Sequence, residues 1–552
     1  MKISDNEENP LLQSILNSIP DVHHFKGKWS LIRSKLVNLK THISDISNFP
    51  SSVTNNLSLD LLRSVSDVLS DVSSLCEACK AINLPNGKLR TQNDVDSVSG
   101  RLDRLIHDAG VLLKSCVLQD DVVVFDSSSS SSSSKKDSVR VETRCLITRL
   151  QIGSSESRNS AMDSLVGILY EDDKNVLIAV AQGVVPVLVR LLDSPEMREK
   201  TVAAIARVSS VDSSNNVLIA EGLLLLNNLL RVLESGSVFA KEKSCIALNA
   251  LSRTKENARA IGSRGGISSL LEICQVGTPN SQAAAAGVLR NLSEFAEIKE
   301  NFLEENAVSV LLSLSASGTC SSQENAISCL SQLVSDDNQL KLFIAREGVI
   351  DSLKNYWDSS PTIHNLEAAV NLVKNLSSCP QIAETLISDG FINRLVSLLT
   401  CGVLTVRIAS AKAIYELGFN SRTRKDIWDC GCIPVLVRML DGKAIEEREA
   451  AAMALSAMIC HGGNMKMFRK EERGIIGTVQ LLDPVLNLDK KYPVSILAYL
   501  VQWKKCRKEM IDAGACMYLK KVAEMADDVE GAKKLCESLG KGKKLWGVFG
   551  RG

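Results

Sequence analysis

Residues 283–314 read AAAAGVLRNLSEFAEIKENFLEENAVSVLLSL. The Ala-rich start predicts a closely packed helix, and the residues around Glu294 predict a turn. A short amphipathic helix is expected over residues 298–304, a break near Asn306, and then a second apolar helix. Variants of this unit recur from about residue 160 to the last thirty residues. The chain is therefore predicted to be a stack of helical units.

A small residue marks the turn between the first two helices of each unit. Glycine suits such a turn because it adopts positive φ without a Cβ clash, and asparagine is the next best residue there. Successive marks are 39 to 44 residues apart, a period typical of armadillo and HEAT arrays. The expected marks are Gly183, Gly222, Gly266, Asn306, Gly348, Gly390, Gly431, Gly474 and Gly514.

These units resemble armadillo repeats. Residues 183–192, GVVPVLVRLL, and 431–440, GCIPVLVRML, match the second-helix pattern of that family, and residues 289–293, LRNLS, match the end of its third helix. The resemblance covers roughly residues 140–525. Together with the helical N-terminal part and the Ser-rich break, the layout resembles plant armadillo proteins related to the vacuolar and U-box groups, without a U-box. It implies an all-α protein, with an N-terminal helical bundle followed by a right-handed armadillo α-solenoid.

In the armadillo family the third helices line a concave groove, and an Asn there bonds the backbone of an extended peptide. Only Asn291 and Asn375 keep this residue in the present chain, with Gln332 a longer substitute. Import receptors of the family also carry a Trp four residues earlier, where this chain has Gly287 and Asn371, so import-receptor function is not expected. The resemblance nominates as groove contacts Arg290, Asn291, Gln332, Asn371, Lys374, Asn375, Lys412 and Glu416.

The expected organisation has four parts. Residues 1–125 are predicted to form a four-helix bundle, with helices near 10–19, 27–48, 57–82 and 95–117, because apolar residues keep helical spacing there. Residues 126–138 contain eight consecutive serines and are predicted to be a linker. Residues 139–530 hold about nine repeats, and residues 531–552 form a basic tail.

Composition narrows the function classes. The 64 basic and 64 acidic residues cancel, which argues against general nucleic-acid binding. No motif of a nucleophile, phosphate loop or metal site appears, so we expect neither an enzyme nor a cofactor. The pair Cys76 and Cys79 is expected to face a core, because zinc needs four converging ligands. Without a signal peptide or a long apolar run, the expected location is the cytoplasm, and also the nucleus or a membrane surface.

The predicted function is that of a monomeric scaffold that binds a partner polypeptide in its groove. One alternative is a peripheral membrane adaptor, because the tail mixes basic and aromatic residues that suit an anionic lipid surface. These tail residues are Lys541, Lys543, Lys544, Trp546 and Phe549. A second alternative, by family analogy alone, is a substrate-binding component of a ubiquitin-ligase pathway.

Overall fold

The computed structural model describes residues 10–85, 87–115, 117–118, 132–359, 362–419, 430–525 and 531–546. Across these ranges the regular structure is helical, and no residue belongs to a β-strand. The chain divides into two compact units, Met1–Leu251 and Ser252–Gly552. The expectation of an all-α protein is confirmed for the described ranges.

The first unit opens with four helices that pack on one another. They are α1 (Pro10–Ser18), α2 (Lys26–Ser47), α3 (Asn56–Lys80) and α4 (Lys88–Lys114). Their apolar faces meet in one core that contains Trp29, Leu36, Leu69 and Leu102. Helix α4 begins seven residues before the predicted position 95, because the turn at Gly87, with φ +76°, sets its start and Thr91 is already buried.

Two thiols lie inside this core. Cys76 and Cys79, on the same face of α3, are both buried, as expected from their apolar helical spacing. Burial raises the pKa of the Cys76 thiol to about 11, because a thiolate loses its hydration in an apolar surrounding. Both residues therefore act as small apolar side chains in the core.

Eight more helices complete the first unit. They are α5 (Ser132–Ile152), α6 (Ser155–Glu171), α7 (Asp173–Ala181), α8 (Val184–Leu191), α9 (Arg198–Ser209), α10 (Asn215–Ala220), α11 (Gly222–Ser235) and α12 (Val238–Leu251). The predicted linker 126–138 was wrong in its second half, because α5 already begins at Ser132 and runs on into an apolar stretch with Leu146 and Leu150 buried. Residues 126–131 lie outside the described residues.

The second unit continues as short helices joined by tight turns. They are α13 (Lys255–Gly262), α14 (Gly266–Val276), α15 (Pro279–Ser293), α16 (Lys299–Glu304), α17 (Ala307–Ser317), α18 (Cys320–Leu333), α19 (Asn338–Arg346), α20 (Val349–Asp358), α21 (Leu366–Ser377), α22 (Pro380–Ser388), α23 (Phe391–Leu398), α24 (Leu404–Phe419), α25 (Cys432–Met439), α26 (Ile445–Met458), α27 (Gly462–Phe468), α28 (Gly474–Gln480), α29 (Lys491–Leu500), α30 (Lys504–Asp512), α31 (Ala515–Met525) and α32 (Ala532–Trp546).

The expected turn marks are confirmed except at two positions. The others have left-handed φ, from +52° at Asn306 to +89° at Gly348. At Gly266 the prediction was wrong by one residue, because Gly265 has φ +73° and Gly266 begins α14. Gly474 does not have positive φ. A Cβ there would lie 2.9 Å from the Phe468 ring, so crowding by a side chain accounts for this glycine.

The third helices of successive units pack against one another. In the first unit α6 contacts α9, and α9 contacts α12. In the second unit the order of contact is α15, α18, α21, α24, α26, α29 and α32. The third helices contain small buried residues such as Ala285, Ala286, Ala450 and Ala454, and small side chains let helix axes approach closely.

The last helix corrects the predicted boundary at residue 530. Helix α32 packs on α29 and α31, with Ala532, Leu535 and Leu539 buried. The start of α32 therefore belongs to the packed helices of the second unit, because the apolar stripe of Ala532, Leu535 and Leu539 covers a protein surface.

The length and apolar character of the helices decide whether one of them could cross a membrane. In the described part of the chain, no helix taken alone has the length and apolar character needed to cross a bilayer. Two helix pairs reach that length together, but each pair bends sharply, by 87° between Asp173–Ala181 and Val184–Leu191 and by 102° between Asp212–Ala220 and Gly222–Ser235.

Candidate functional site

The predicted groove residues all lie on four consecutive third helices of the second unit. Arg290 and Asn291 are on α15, Gln332 is on α18, and Lys412 and Glu416 are on α24. The remaining three, Asn371, Lys374 and Asn375, are on α21. These four helices pack in series, so the structure brings the predicted residues to one row of helices.

The two asparagines at the family's peptide-binding position bond within the protein. Asn291 is 5% exposed, and its Nδ2 donates to the Ser252 Oγ at 3.0 Å. The Nδ2 of Asn375 donates to both the carbonyl oxygen and the hydroxyl of Ser331, at 2.8 and 3.0 Å. These amides therefore fasten a third helix to residues roughly one unit earlier in the chain.

This bonding predicts that Asn375→Ala lowers stability. The substitution leaves the Ser331 carbonyl without its donor, which costs about 1–2 kcal/mol of unfolding free energy. Chemical denaturation followed by circular dichroism measures the loss. The matched control is Gln332→Ala, because Gln332 occupies the equivalent position on α18 and is exposed. The control is expected to change stability by less than about 0.5 kcal/mol. Equal losses in the two variants would contradict a structural role for Asn375.

Arg290 is also held by neighbouring side chains. Its Nη1 donates to the Asn325 Oδ1 at 2.9 Å, and the Asn325 Nδ2 donates to the carbonyl of Ala283 at 3.1 Å. The pKa of the nearby Glu324 carboxyl is raised by burial, with Arg290 opposing that shift. The face around Arg290 is thus a polar network that bonds mainly to itself.

Further along the same row, Lys374, Lys412 and Glu416 open onto a cleft of about 310 Å³. The other lining residues are Glu449, Met453, Asp489 and Tyr492, from α26, α29 and the turn before α29. We call this set of residues the charged cleft. It joins three of the predicted groove residues, whereas Arg290, Asn291, Gln332, Asn371 and Asn375 do not line it.

The cleft holds opposite charges that are only partly hydrated. Burial lowers the pKa of the Lys374 ammonium, the like charge of Lys412 lowers it further, and Glu416 opposes the shift. Burial likewise raises the pKa of the Glu416 carboxyl, against the influence of Lys374 and Lys341. Each shift shows that the charged form has lost part of its solvation.

The bonding capacity of these three side chains is unused. Within the described residues, Lys374, Lys412 and Glu416 make no side-chain hydrogen bond and no ion pair within 4 Å. Lys374 and Glu416 are half-buried, whereas Lys412 is exposed. The two half-buried charges gain free energy when a ligand supplies the missing bonds. The cleft therefore offers donors and an acceptor to an incoming polar group.

The opposite wall of the cleft is held firmly. One carboxylate oxygen of Glu449 accepts the backbone N–H of Asp489 at 3.0 Å, and Asp489 pairs with Lys491 at 2.7 Å. The ring of Tyr492 meets that of Tyr415 edge to face, with centroids 5.9 Å apart. These contacts fix a carboxylate and an aromatic face next to the unused charges.

The prediction from sequence missed Glu449, Met453, Asp489 and Tyr492. A signal for Glu449 was present, because glutamates recur eight residues before the position of the family's Asn. Glu324 stands eight residues before Gln332, and Glu367 eight before Asn375. Asp489 precedes the next helix in a turn, and no recurring position marks it.

The predicted tail residues are only partly placed. The backbone of Lys541, Lys543, Lys544 and Trp546 lies in α32, and Phe549 lies outside the described residues. Earlier on the same helix, Lys533 and Lys534 are exposed while Leu535 and Leu539 are buried. The apolar side chains at the start of α32 thus pack within the protein.

Comparison with known families gives a match over the N-terminal part. Residues 6–117 match the model of a family described as a domain of unknown function, DUF7032. This stretch contains the four helices α1 to α4. The match covers the start of the chain and leaves the later units outside it.

A curated relative is the Arabidopsis thaliana protein named Protein CELLULOSE SYNTHASE INTERACTIVE 2, 26% identical over 130 residues. The match covers 24% of this chain and 6% of that protein, so this chain spans a small part of the relative's length. A similar solved structure is the crystal structure of an engineered protein from the Northeast Structural Genomics Consortium, with a TM-score of 0.60 and 23% identity. That likeness covers 72% of this chain and 98% of the other, and shows a shared fold.

Proposed function

We propose that this protein is a non-catalytic scaffold of the armadillo type, which binds a partner polypeptide along the third helices of its second unit. The observation that carries this proposal is the charged cleft, where Lys374, Lys412 and Glu416 keep unused bonding capacity beside the fixed groups Glu449 and Tyr492. Such a cleft suits recognition of side chains, since it contains both signs of charge and an aromatic face.

The repeating architecture supports an armadillo assignment. Left-handed turn residues recur between the first and second helices, and the third helices pack in series, as that family requires. The name of the Arabidopsis relative states an interaction with cellulose synthase, a protein partner. A protein partner for this chain is the proposal that agrees with both observations.

The proposed mode of binding differs from an asparagine ladder. Asn291 and Asn375 already donate to Ser252 and Ser331, so an extended peptide would have to displace those bonds. We therefore infer that partner side chains, rather than its backbone, supply most of the recognition. An acidic side chain would meet Lys412 and Lys374, and a basic one would meet Glu416 and Glu449.

Exchanging the charges of the cleft tests the proposal. The double variant Lys412→Glu, Glu416→Lys keeps net charge and helical spacing but inverts the field that a partner meets. Its binding to a partner is expected to weaken at least about tenfold, the equivalent of roughly 1.4 kcal/mol. Partners are first captured on the full wild-type chain from a cell extract, then purified, and their dissociation constants are measured by calorimetry.

The chain provides a matched control. Lys505 and Glu509 on α30 have the same spacing, form an exposed pair at 3.8 Å, and lie outside the cleft. The variant Lys505→Glu, Glu509→Lys is expected to bind as the wild type does. Equal affinity of the cleft variant and the wild type for every purified partner, with both folded by circular dichroism, would refute the cleft as the binding surface.

The packing of α32 bears on the membrane alternative. Because Leu535 and Leu539 are buried in the protein, residues 532–540 of this helix leave no apolar stripe to insert into a bilayer. Lipid contact through α32 would then depend on exposed lysines such as Lys533 and Lys534, each worth about 1 kcal/mol near an anionic surface. The charged cleft therefore carries the scaffold proposal, and the membrane adaptor stays an alternative that depends on these lysines.

A further inference from the structure

A second cavity lies within the first unit, where α4 of the N-terminal helices meets α5, α6 and α8. Its volume is about 230 Å³, and it is lined by His107, Val111, Leu150, Arg158, Arg190 and Leu191 among others. We call it the arginine cavity. The arginine cavity shares no residue with the charged cleft, so it is a separate candidate binding site.

The polar side of the cavity is cationic. Arg158 donates from Nη2 to the carbonyl of Gln151 at 3.0 Å, while its buried Nε has no hydrogen-bond partner. Arg190 donates from Nε to the carbonyl of Pro186 at 3.3 Å. In the described part of the chain, no carboxylate lies within 4 Å of either guanidinium. Both arginines therefore retain N–H donors and a positive charge that the protein does not neutralise in an ion pair.

One carboxyl group lies near this wall. Burial raises the pKa of the Asp108 carboxyl, while His107, Arg158 and Arg104 oppose that shift. Asp108 is not among the residues that line the cavity, and the described lining contains two guanidinium groups and no carboxylate. The charge of this lining is therefore positive, which favours an anion.

The other side of the cavity is apolar. Leu150 and Val187 are almost fully buried, and Val111 and Leu191 are half-buried. Open apolar surface beside two guanidinium groups suits a ligand with an anionic head and a short apolar body. The volume is below the range of about 300–1,000 Å³ common for drug-sized ligands, so the ligand must be small.

We propose that the arginine cavity binds a small amphipathic oxyanion, a carboxylate or phosphate monoester on a short hydrocarbon group. The guanidinium groups of Arg158 and Arg190 hold the oxyanion, since their paired donors match carboxylate and phosphate oxygens. His107 lies at the cavity beside them, and Leu150, Val187 and Leu191 contact the hydrocarbon group. The site exists only where the N-terminal helices meet the helices that follow them.

Ligand-observed NMR titration of the full chain tests this site. The probes are hexanoate and hexyl phosphate, with hexanol as the uncharged analogue and inorganic phosphate as the head without a body. Hexanoate or hexyl phosphate is expected to bind, and the tighter of the two identifies the preferred anionic group. Hexanol and inorganic phosphate are each expected to bind at least tenfold more weakly.

Three variants and one control define the site. Arg158→Gln and Arg190→Gln are each expected to weaken binding at least fivefold, and Val111→Trp is expected to abolish it by filling the cavity without changing the charge. The control is Arg63→Gln, because Arg63 is an exposed arginine on α3 outside the cavity. It is expected to leave binding unchanged.

Two results would overturn the proposal. One is the absence of saturable binding of both hexanoate and hexyl phosphate to the wild type. The other is equal binding by the wild type and by Val111→Trp and Arg190→Gln, each shown by circular dichroism to be folded. Because Arg190 is exposed, its variant is expected to fold even if Arg158→Gln does not.

Discussion

Trp29→Ala is expected to destabilise the four N-terminal helices by about 3–5 kcal/mol, the cost of deleting a large core side chain and leaving a cavity. Trp29 is 1% exposed and is among the largest fully buried side chains of the described residues. It lies in a core with Leu36, Leu69 and Leu102. Hydrogen exchange read by mass spectrometry is expected to show lost protection in α2, α3 and α4.

The same helix supplies the control for Trp29. Leu31 is two residues away and 54% exposed, so Leu31→Ala removes apolar surface that already meets water. Its effect is expected to stay below about 0.5 kcal/mol. If both variants showed the same hydrogen-exchange protection as the wild type, the core assigned to residues 10–118 would be wrong.

Arg407→Ala is expected to destabilise the second unit by about 2–4 kcal/mol, because it leaves a buried carboxylate without its partner. Glu447 is 7% exposed and accepts from the Arg407 Nε at 2.7 Å, and Arg407 also donates to the Cys401 carbonyl at 2.7 Å. The pair joins α24 to α26. Urea denaturation measures the loss.

An exposed ion pair in the same unit serves for comparison. Arg473 pairs with Asp441 at 2.9 Å, but 78% of its side chain is exposed. Arg473→Ala is expected to cost at most about 1 kcal/mol, since exposed pairs contribute little. A loss in Arg407→Ala no larger than in Arg473→Ala would contradict the importance assigned to burial.

Local chemistry made much of the fold predictable. The turns at Gly183, Gly390 and Gly431 could be located because a left-handed residue favours glycine, and the period followed from their spacing. Asn306 was found for the same reason. The helix positions followed from the spacing of apolar residues, because a helix that buries one face repeats apolar residues every three to four positions.

The predictions that failed depend on which side chains the fold brings together. Gly474 was predicted to be a turn residue like the other glycines. Its glycine is explained instead by the Phe468 ring, which leaves no room for a Cβ. Asn375 fits the family's peptide-binding motif, yet its amide bonds Ser331, 44 residues earlier. Neither partner can be recognised without knowing which helix faces are adjacent.

The candidate site was likewise predictable only in part. The third-helix register placed Lys374, Lys412 and Glu416 on successive third helices, and the structure brings all three to one cleft. Their role as partner contacts stays a prediction. Asp489 and Tyr492 enter the cleft from a turn and the start of α29. Their approach depends on how α29 packs on α26, which no local pattern reveals.

The polar bonds between third helices have a consequence for synthesis on the ribosome. Asn291 reaches back 39 residues to Ser252, Glu447 reaches back 40 to Arg407, and Asn375 reaches back 44 to Ser331. Each bond can form once one further unit has emerged, without waiting for the rest of the chain. Such short sequence separations favour rapid, stepwise folding, so a nascent chain would expose at most about one unfinished unit of apolar surface to chaperones at a time.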